Sequence, residues 1–193
     1  MKLNARRIIA FLLLIALSVG FGFAYDGIAT AVERHRYPLP SSVAPLIAQN
    51  AAEFGVPESI LWATVRTQSN FSSNAVAEDG AVGLMQITPT EFSMICTTVL
   101  GVNAPESGML YDPATNLRCG AAWLSYLYER YGVWETAYAA YHAGTDAVDA
   151  WLASPETVSP QGTLHNIPDG EAAAYVREMT KTVQMYSKLY YQS

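Results

Sequence analysis

The feature that most constrains this chain is a run of 18 residues without a charge, from Ile8 to Tyr25. Three basic residues precede the run, and Asp26 follows it. A helix of this length rises about 27 Å, close to the ~30 Å hydrocarbon core of a bilayer. Because basic flanks stay on the cytoplasmic side of a membrane, the pattern predicts a single-pass anchor with the rest of the chain outside the cytoplasm.

A cleaved signal peptide is the alternative interpretation of this segment, and it would make the domain a secreted one. Small residues at 18 and 20, and again at 22 and 24, suit the spacing of a cleavage site. The apolar run is longer than the core of most signal peptides, which favours an uncleaved anchor. The predicted organisation is a basic cytoplasmic flank at 1–7, a transmembrane signal-anchor at 8–25, a stalk at 26–40 and one domain at 41–193.

The rest of the chain has the composition of one folded, acidic domain. The sequence is 51% hydrophobic and 15% charged, and about 165 residues remain after the apolar segment, which fits one domain. Beyond the basic flank, eight Lys and Arg residues face 17 acidic ones. Such a body lacks the positive surface on which nucleic-acid binding depends, so nucleic acid is excluded as a predicted partner.

Helical patterns cover almost all of the chain after residue 40. Thr88-Pro89-Thr90-Glu91 combines an N-cap, a first-turn proline and a capping-box glutamate. No segment alternates with a period of two, and no internal repeat occurs, so we predict an all-α domain of about seven helices around one core. The predicted helices run from Ser41 or Ser42 to Phe54, Ile60 to about Asn70, Thr88 to about Leu100, Asp112 to Gly132, Trp134 to Ala143, Thr145 to Ala153 and Glu171 to about Tyr190.

The cysteines and histidines do not predict a metal site or a cofactor. Cys96 and Cys119 are compatible either with a disulfide, which the extracytoplasmic side permits, or with two buried free thiols. His35, His142 and His165 are scattered along the chain, and no pair of Cys or His residues repeats with the spacing of metal ligands.

Residues 71–87 do not have a helical pattern. Ser, Asn, Asp and Gly come first, and a Gly-rich apolar turn follows. A loop of this length inside a compact helical domain is typical of a functional site. We therefore expect a cleft here, and the alternative is a surface loop held by its own apolar residues.

Three segments together resemble the soluble lytic transglycosylase family. They are RTQSNFSSNAVAEDGAVGLMQITP at 66–89, AAYHAG at 139–144 and IPDGEAAAYV at 167–176, and they occur in the family's order. The similarity covers about residues 38–190. It implies a lysozyme-like helical fold that binds the glycan strands of peptidoglycan.

The resemblance also implies a chemistry that depends on one glutamic acid. In this family the acid protonates the leaving oxygen between N-acetylmuramic acid and N-acetylglucosamine. Its carboxylate then takes a proton from the C6 hydroxyl, which closes on C1 to give a 1,6-anhydro end. This sequence has Gln68 at the position of that acid, and an amide cannot act as a general acid. Loss of general acid–base catalysis costs about 10²–10⁴ in rate.

Two further positions depart from the family pattern. The serine nine residues after the acid is Ala77, and the asparagine of the second block is His142. Three departures favour a natural, non-catalytic homologue that binds glycan strands with lost or strongly reduced cleavage. The alternative is an active lytic transglycosylase, in which Gln68 was engineered from Glu or in which Glu78, Asp79 or His142 is a substitute acid.

The resemblance finally implies which side chains contact the glycan. An amide or hydroxyl suits acetamido groups and sugar hydroxyls, and a tyrosine offers a ring face and a hydroxyl. For Gln86 the alternative is an amide that ties the loop to the backbone, and for Glu78 and Asp79 it is a solvated acidic turn. The predicted substrate-binding residues are Ser69, Gln86, Thr88, Tyr141, His142 and Tyr175, around Gln68 at the catalytic position.

Overall fold

The computed structural model of the chain describes residues 5–160 and 162–192. The chain divides into two compact units, Met1–Pro38 and Leu39–Ser193. Lys2 and the rest of 1–4, which belong to the predicted basic flank, lie outside the described residues.

The first unit is one long helix, α1 (Ala5–Arg36). Its segment Phe11–Arg36 has a mean hydropathy of 1.9 and no buried share. By length and composition it is the one helix in the described part of the chain that is long and apolar enough to cross a membrane. Residues 26–36, predicted as part of a stalk, continue the same helix, which ends shortly before Pro38 because the residue ahead of a proline disfavours helix.

The second unit is helical, as the sequence predicts. The β-structure of the described residues consists of isolated bridges outside the helices, such as the antiparallel bridge between Val82 and Ile87. A 3₁₀ helix spans Ser107–Tyr111, and π-helical turns at Ile95–Val99 and Ser187–Tyr191 continue the α-helices before them. Seven α-helices are described: α2 (Ala44–Phe54), α3 (Glu58–Ser69), α4 (Pro89–Met94), α5 (Pro113–Tyr131), α6 (Trp134–Ala143), α7 (Thr145–Leu152) and α8 (Gly170–Tyr186).

Local capping signals explain where several helices begin and end. Thr88 and Glu91 form the predicted capping box at the start of α4. The Asp112 side chain accepts from the Thr115 amide at the start of α5, and Gly132 ends that helix in the left-handed region at φ 69°.

The predicted serine cap of α2 is wrong. The helix begins after Val43, whose side chain makes no capping hydrogen bond. The amides of Val43 and Ala44 both donate to the carbonyl of Pro40 at 3.0 Å. Because the backbone supplies this acceptor, neither Ser41 nor Ser42 is needed as a cap.

The last long helix starts at Gly170, one residue before the predicted Glu171. Its cap is Asp169, whose Oδ1 accepts from the amides of Glu171 and Ala172 at 2.8 and 3.3 Å. Glu171 therefore lies in the first turn of α8, where an acidic residue opposes the positive end of the helix dipole.

The core of the second unit lies between α3, α5, α6 and α8. Helix α3 packs on α8, α6 packs on both α5 and α8, and α2 packs on α5. Trp62 of α3 stacks on Tyr186 of α8 with ring centroids 6.2 Å apart. Both rings are almost completely buried, so this aromatic contact joins the two helices.

The two cysteines are free and buried. Cys96 lies on the π-helical turn after α4, and Cys119 lies on α5. Burial, and then the neighbouring Cys96, raise the pKa of the Cys119 thiol to about 12. Of the two alternatives that the sequence leaves open, the structure has free thiols, and Cys119 stays protonated near neutral pH.

Gly120 allows α5 to contact the turn before α4. A Cβ at this position would lie 2.5 Å from Cε and 2.7 Å from Cβ of Met85, which is fully buried. Overpacking of this kind costs about 1–3 kcal/mol, so we expect Gly120→Ala to lower the free energy of unfolding by that amount.

Urea unfolding of the full chain in detergent, followed by tryptophan fluorescence, measures this change. All four tryptophans lie in the second unit, so the signal reports on that unit alone. Gly108→Ala is the matched control, because a Cβ there meets no atom within 4 Å. Equal stability of the two variants would contradict the close packing at Gly120.

Candidate functional site

The long loop between α3 and α4 is fixed by one buried side chain, Asn116 of α5. Its Oδ1 accepts from the amide of Met85 at 2.7 Å. Its Nδ2 donates to the carbonyls of Val82 and Leu110 at 2.8 and 3.0 Å. A single fully buried amide thus satisfies three backbone groups of the loop and of the 3₁₀ helix, as burial requires.

Gly83 is required at the centre of this contact. Its φ is +81°, and a Cβ there would lie 2.4 Å from Nδ2 of Asn116. Asn116 was not among the residues predicted for the site. The available signal is its polar side chain on the apolar face of α5, four residues before Gly120, where a buried amide needs partners.

The loop, the end of α3 and the end of α6 enclose a cavity of about 320 Å³ beside Gln68. Five of the seven predicted site residues line it, whereas Ser69 and Tyr175 do not. The lining residues are Gln68, Ala77, Asp79, Ala81, Gln86, Thr88, Glu91, Tyr141 and His142.

Gln68, Tyr175 and His142 form a connected group at this cavity. Nε2 of Gln68 donates to the hydroxyl of Tyr175 at 3.0 Å. The imidazole of His142 stacks on the Tyr175 ring with centroids 4.7 Å apart and planes at 15°. Burial raises the pKa of Tyr175 above its usual range, so the phenol is neutral when it accepts the amide hydrogen bond. His142 is exposed and lines the cavity.

Tyr141 is more deeply buried than a platform for a sugar would be. Its hydroxyl donates to the carbonyl of Met85 at 2.7 Å, and the residue is only 8% exposed. Burial raises the pKa of this phenol as well. Most of the ring face predicted to receive a pyranose is therefore packed against protein.

The amide of Gln86 ties the loop to its own backbone. Its Nε2 donates to the carbonyls of Gly83 and Ala75 at 2.8 and 3.2 Å. The residue has a φ of +50° and also lines the cavity. The Gln86 side chain therefore ties the loop to the backbone, which is the alternative to a direct glycan contact. It also borders the cavity next to Gln68.

Ser69 and Thr88 hold the two ends of the loop. The hydroxyl of Ser69 donates to the carbonyl of Leu84 at 2.9 Å and lies 3.1 Å from that of Val65. The hydroxyl of Thr88 donates to Oε2 of Glu91 at 2.8 Å, and the Thr88 amide donates to the same oxygen at 2.9 Å. Ser69 therefore faces the backbone, and Thr88 faces both its cap and the cavity.

The acidic residues of the region separate into two groups. Glu78 is exposed and does not line the cavity, whereas Asp79 does. Glu91, which was predicted only as part of the capping box, also lines the cavity. No group of three or more His, Cys, Asp or Glu side chains that could hold a metal ion occurs within 5–160 and 162–192.

Comparison with known proteins identifies the family. Residues 45–162 match the family model of the transglycosylase SLT domain. The chain belongs to this family.

Individual relatives of this SLT domain are much longer proteins. The soluble lytic murein transglycosylase of Escherichia coli K12 is 31% identical over 130 residues, which are 64% of this chain and 20% of the relative. The membrane-bound lytic murein transglycosylase C of Yersinia enterocolitica is 36% identical over 88 residues, 45% of this chain and 25% of the relative. The chain therefore spans a fifth to a quarter of these relatives.

A solved structure shares the fold of the SLT domain. An inactive mutant of the lytic transglycosylase Slt from Pseudomonas aeruginosa, with Gln in place of one Glu, superposes with a TM-score of 0.69 at 28% identity. The match covers 80% of this chain and 25% of that one. The predicted lysozyme-like, all-α fold is thereby confirmed.

Removal of the Asn116 amide tests how the cavity wall is held. We expect Asn116→Ala to lower the free energy of unfolding by about 2–4 kcal/mol, because it leaves buried backbone groups of the loop without partners. Hydrogen exchange at the Met85 amide should accelerate with it, since this amide donates to Asn116. Asn103→Ala, at an exposed asparagine, is the control, and slow exchange at Met85 in both variants would contradict this role of Asn116.

Proposed function

We propose that this chain is a membrane-anchored domain that binds the glycan strands of peptidoglycan and has lost, or strongly reduced, cleavage. The observation that carries the proposal is Gln68 in a cavity whose other walls are formed. The family match and the hydrogen bond from Gln68 to Tyr175 support it.

The chemistry of an amide explains the loss of cleavage. A general acid must lie within hydrogen-bond reach of the leaving oxygen and must carry an ionisable proton. Gln68 satisfies the first condition in the arrangement that the family resemblance implies, but not the second. Its amide can still donate a hydrogen bond to a glycosidic oxygen, so binding is compatible with the absence of the acid.

The Pseudomonas relative supports this interpretation. That protein is described as an inactive mutant, and its change is from Glu to Gln. A single replacement of this kind thus accompanies loss of activity in a protein with the same fold.

The side chains that remain suit recognition of an uncleaved strand. His142 offers an imidazole held flat by Tyr175, and Gln86 and Thr88 border the cavity with an amide and a hydroxyl. These groups match the hydroxyl and acetamido groups of amino sugars in polarity. Tyr141 and Ser69 support the cavity wall indirectly. The Tyr141 hydroxyl donates to the carbonyl of Met85, and the Ser69 hydroxyl donates to that of Leu84.

Helix α1, as a membrane anchor, would keep the domain at the membrane. Helix α1 meets the length and hydropathy of a membrane span, and a curated relative is described as membrane-bound. With the basic flank in the cytoplasm, the SLT domain lies outside the membrane next to the cell wall.

Restoring the acid tests the proposed function most sharply. We expect Gln68→Glu to raise production of 1,6-anhydro muropeptides by at least about 10², the lower end of a general-acid contribution. A carboxyl at this half-buried position is partly protonated near neutral pH, because burial disfavours its charged form. Mass spectrometry of digested peptidoglycan measures the product.

The control for this experiment is Gln49→Glu, which adds the same charge at an exposed position of α2. It should release no more anhydro product than the chain as written. High and equal product from the chain as written and from Gln68→Glu would contradict the proposal and would direct attention to Asp79 and His142 as substitute acids.

The anchor is tested by fractionation. We expect the full chain to remain in the membrane fraction and to keep an N-terminus at residue 1 or 2, because an uncleaved apolar helix holds it there. A chain that starts at Leu39 should be recovered in the soluble fraction. N-terminal sequencing that begins near Phe21 or Tyr25 would show instead that a signal peptide is removed.

A further inference from the structure

The cavity beside Gln68 contains two carboxylates and no compensating Lys or Arg side chain. Among the described residues that line it, Asp79 and Glu91 are acidic, and His142 is the one basic group. Oδ1 of Asp79 accepts from the amide of Ala81 at 3.0 Å, and Oε2 of Glu91 accepts from Thr88. Neither carboxylate forms an ion pair in the part of the chain that the structure describes.

Both carboxylates line the cavity, and Glu91 is half-buried. Burial, and then the neighbouring Tyr175 and Glu91, raise the pKa of the Tyr141 phenol, which lines the same space. Asp79 is more exposed and lies on the loop. Two negative charges that share a partly enclosed space repel each other, and a bound cation removes that repulsion.

The glycan strands that are proposed to bind in this cavity can carry neutral, negative or positive groups. A neutral acetamido group gains little from a carboxylate, and a free lactyl carboxylate of muramic acid is repelled by it. A primary ammonium group is attracted and donates hydrogen bonds to the free carboxylate oxygens. On such a strand the ammonium has two sources, the 2-amino group of a sugar that has lost its acetyl group and the free amine of a peptide stem.

We propose that Asp79 and Glu91 make this cavity select glycan strands that carry a primary ammonium group. The inference rests on the proposed glycan binding and adds the class of strand that is bound. The cavity as a whole is the binding site, and the two carboxylates set its preference for charge.

The test measures the affinity of the full chain in detergent for matched pairs of probes at about pH 6, where such amines are protonated. The first pair is the tetramer of glucosamine and the tetramer of N-acetylglucosamine. The second pair is a muropeptide with a free stem amine and the same muropeptide with that amine acetylated. We expect the ammonium form of at least one pair to bind about three- to tenfold tighter, and the pair that shows the preference identifies the source.

Variants assign the preference to the two carboxylates. Glu91→Gln keeps a side chain that supports the capping box, and Asp79→Asn keeps an acceptor for the Ala81 amide. Each should reduce the preference, and the double variant should abolish it. Glu78→Gln removes the same charge from an exposed neighbour outside the cavity and should leave the preference unchanged.

The outcomes separate the two proposals. If no probe binds, the proposed glycan binding fails and this inference fails with it. If both members of each pair bind equally, or if Glu78→Gln lowers the preference as much as Glu91→Gln and Asp79→Asn do, glycan binding stands and charge selection by this cavity is wrong.

Discussion

The buried amide of Asn116 is the interaction on which the cleft depends. It accepts from the backbone amide of Met85, while the hydroxyl of Tyr141 donates to the backbone carbonyl of the same residue. Side chains from α5 and α6 therefore satisfy both polar groups of Met85, which is itself fully buried. A turn without regular secondary structure is fixed in this way against two helices, and Gly83 and Gly120 leave the space that this close approach requires.

The scaffold of the cleft is independent of the acid that the family uses. Asn116, Tyr141 and Ser69 hold the loop through backbone groups, and none of these contacts involves Gln68. The amide of Gln68 makes its hydrogen bond to Tyr175 instead. A change at this position would leave these supports of the loop in place, which is compatible with our proposal that Gln68 stands at the position of the family's acid.

The features that the sequence predicted correctly, such as helix starts and ends, depend on residues close together in the chain. The capping box of Thr88 and Glu91 and the left-handed end of α5 at Gly132 are local, and the structure has both. The predicted serine cap of α2 was wrong, because the amides of Val43 and Ala44 donate to the carbonyl of Pro40. The family resemblance brought Gln68, Gln86 and His142 to one place, and the structure puts all of them on the cavity wall.

The site features that could not be predicted from the sequence depend on contacts between segments that are distant in the chain. Asn116 lies more than 30 residues from Val82 and Met85, and only the packing of α5 on the turn makes its amide a support. Glu91 also lines the cavity, together with residues of α3 and α6 that are distant in the sequence. Tyr141 was expected to present its ring, but its hydroxyl donates to the carbonyl of Met85 and the residue is mostly buried.

A crystal structure of the chain with a bound peptidoglycan glycan oligomer would show whether Gln68 binds a strand without cutting it. We expect an unbroken strand in the cavity, with a glycosidic oxygen within hydrogen-bond distance of the Gln68 amide and the wall formed by Asn116 and Met85 unchanged. A 1,6-anhydro end in the cavity, or an oligomer bound away from Gln68, would contradict it.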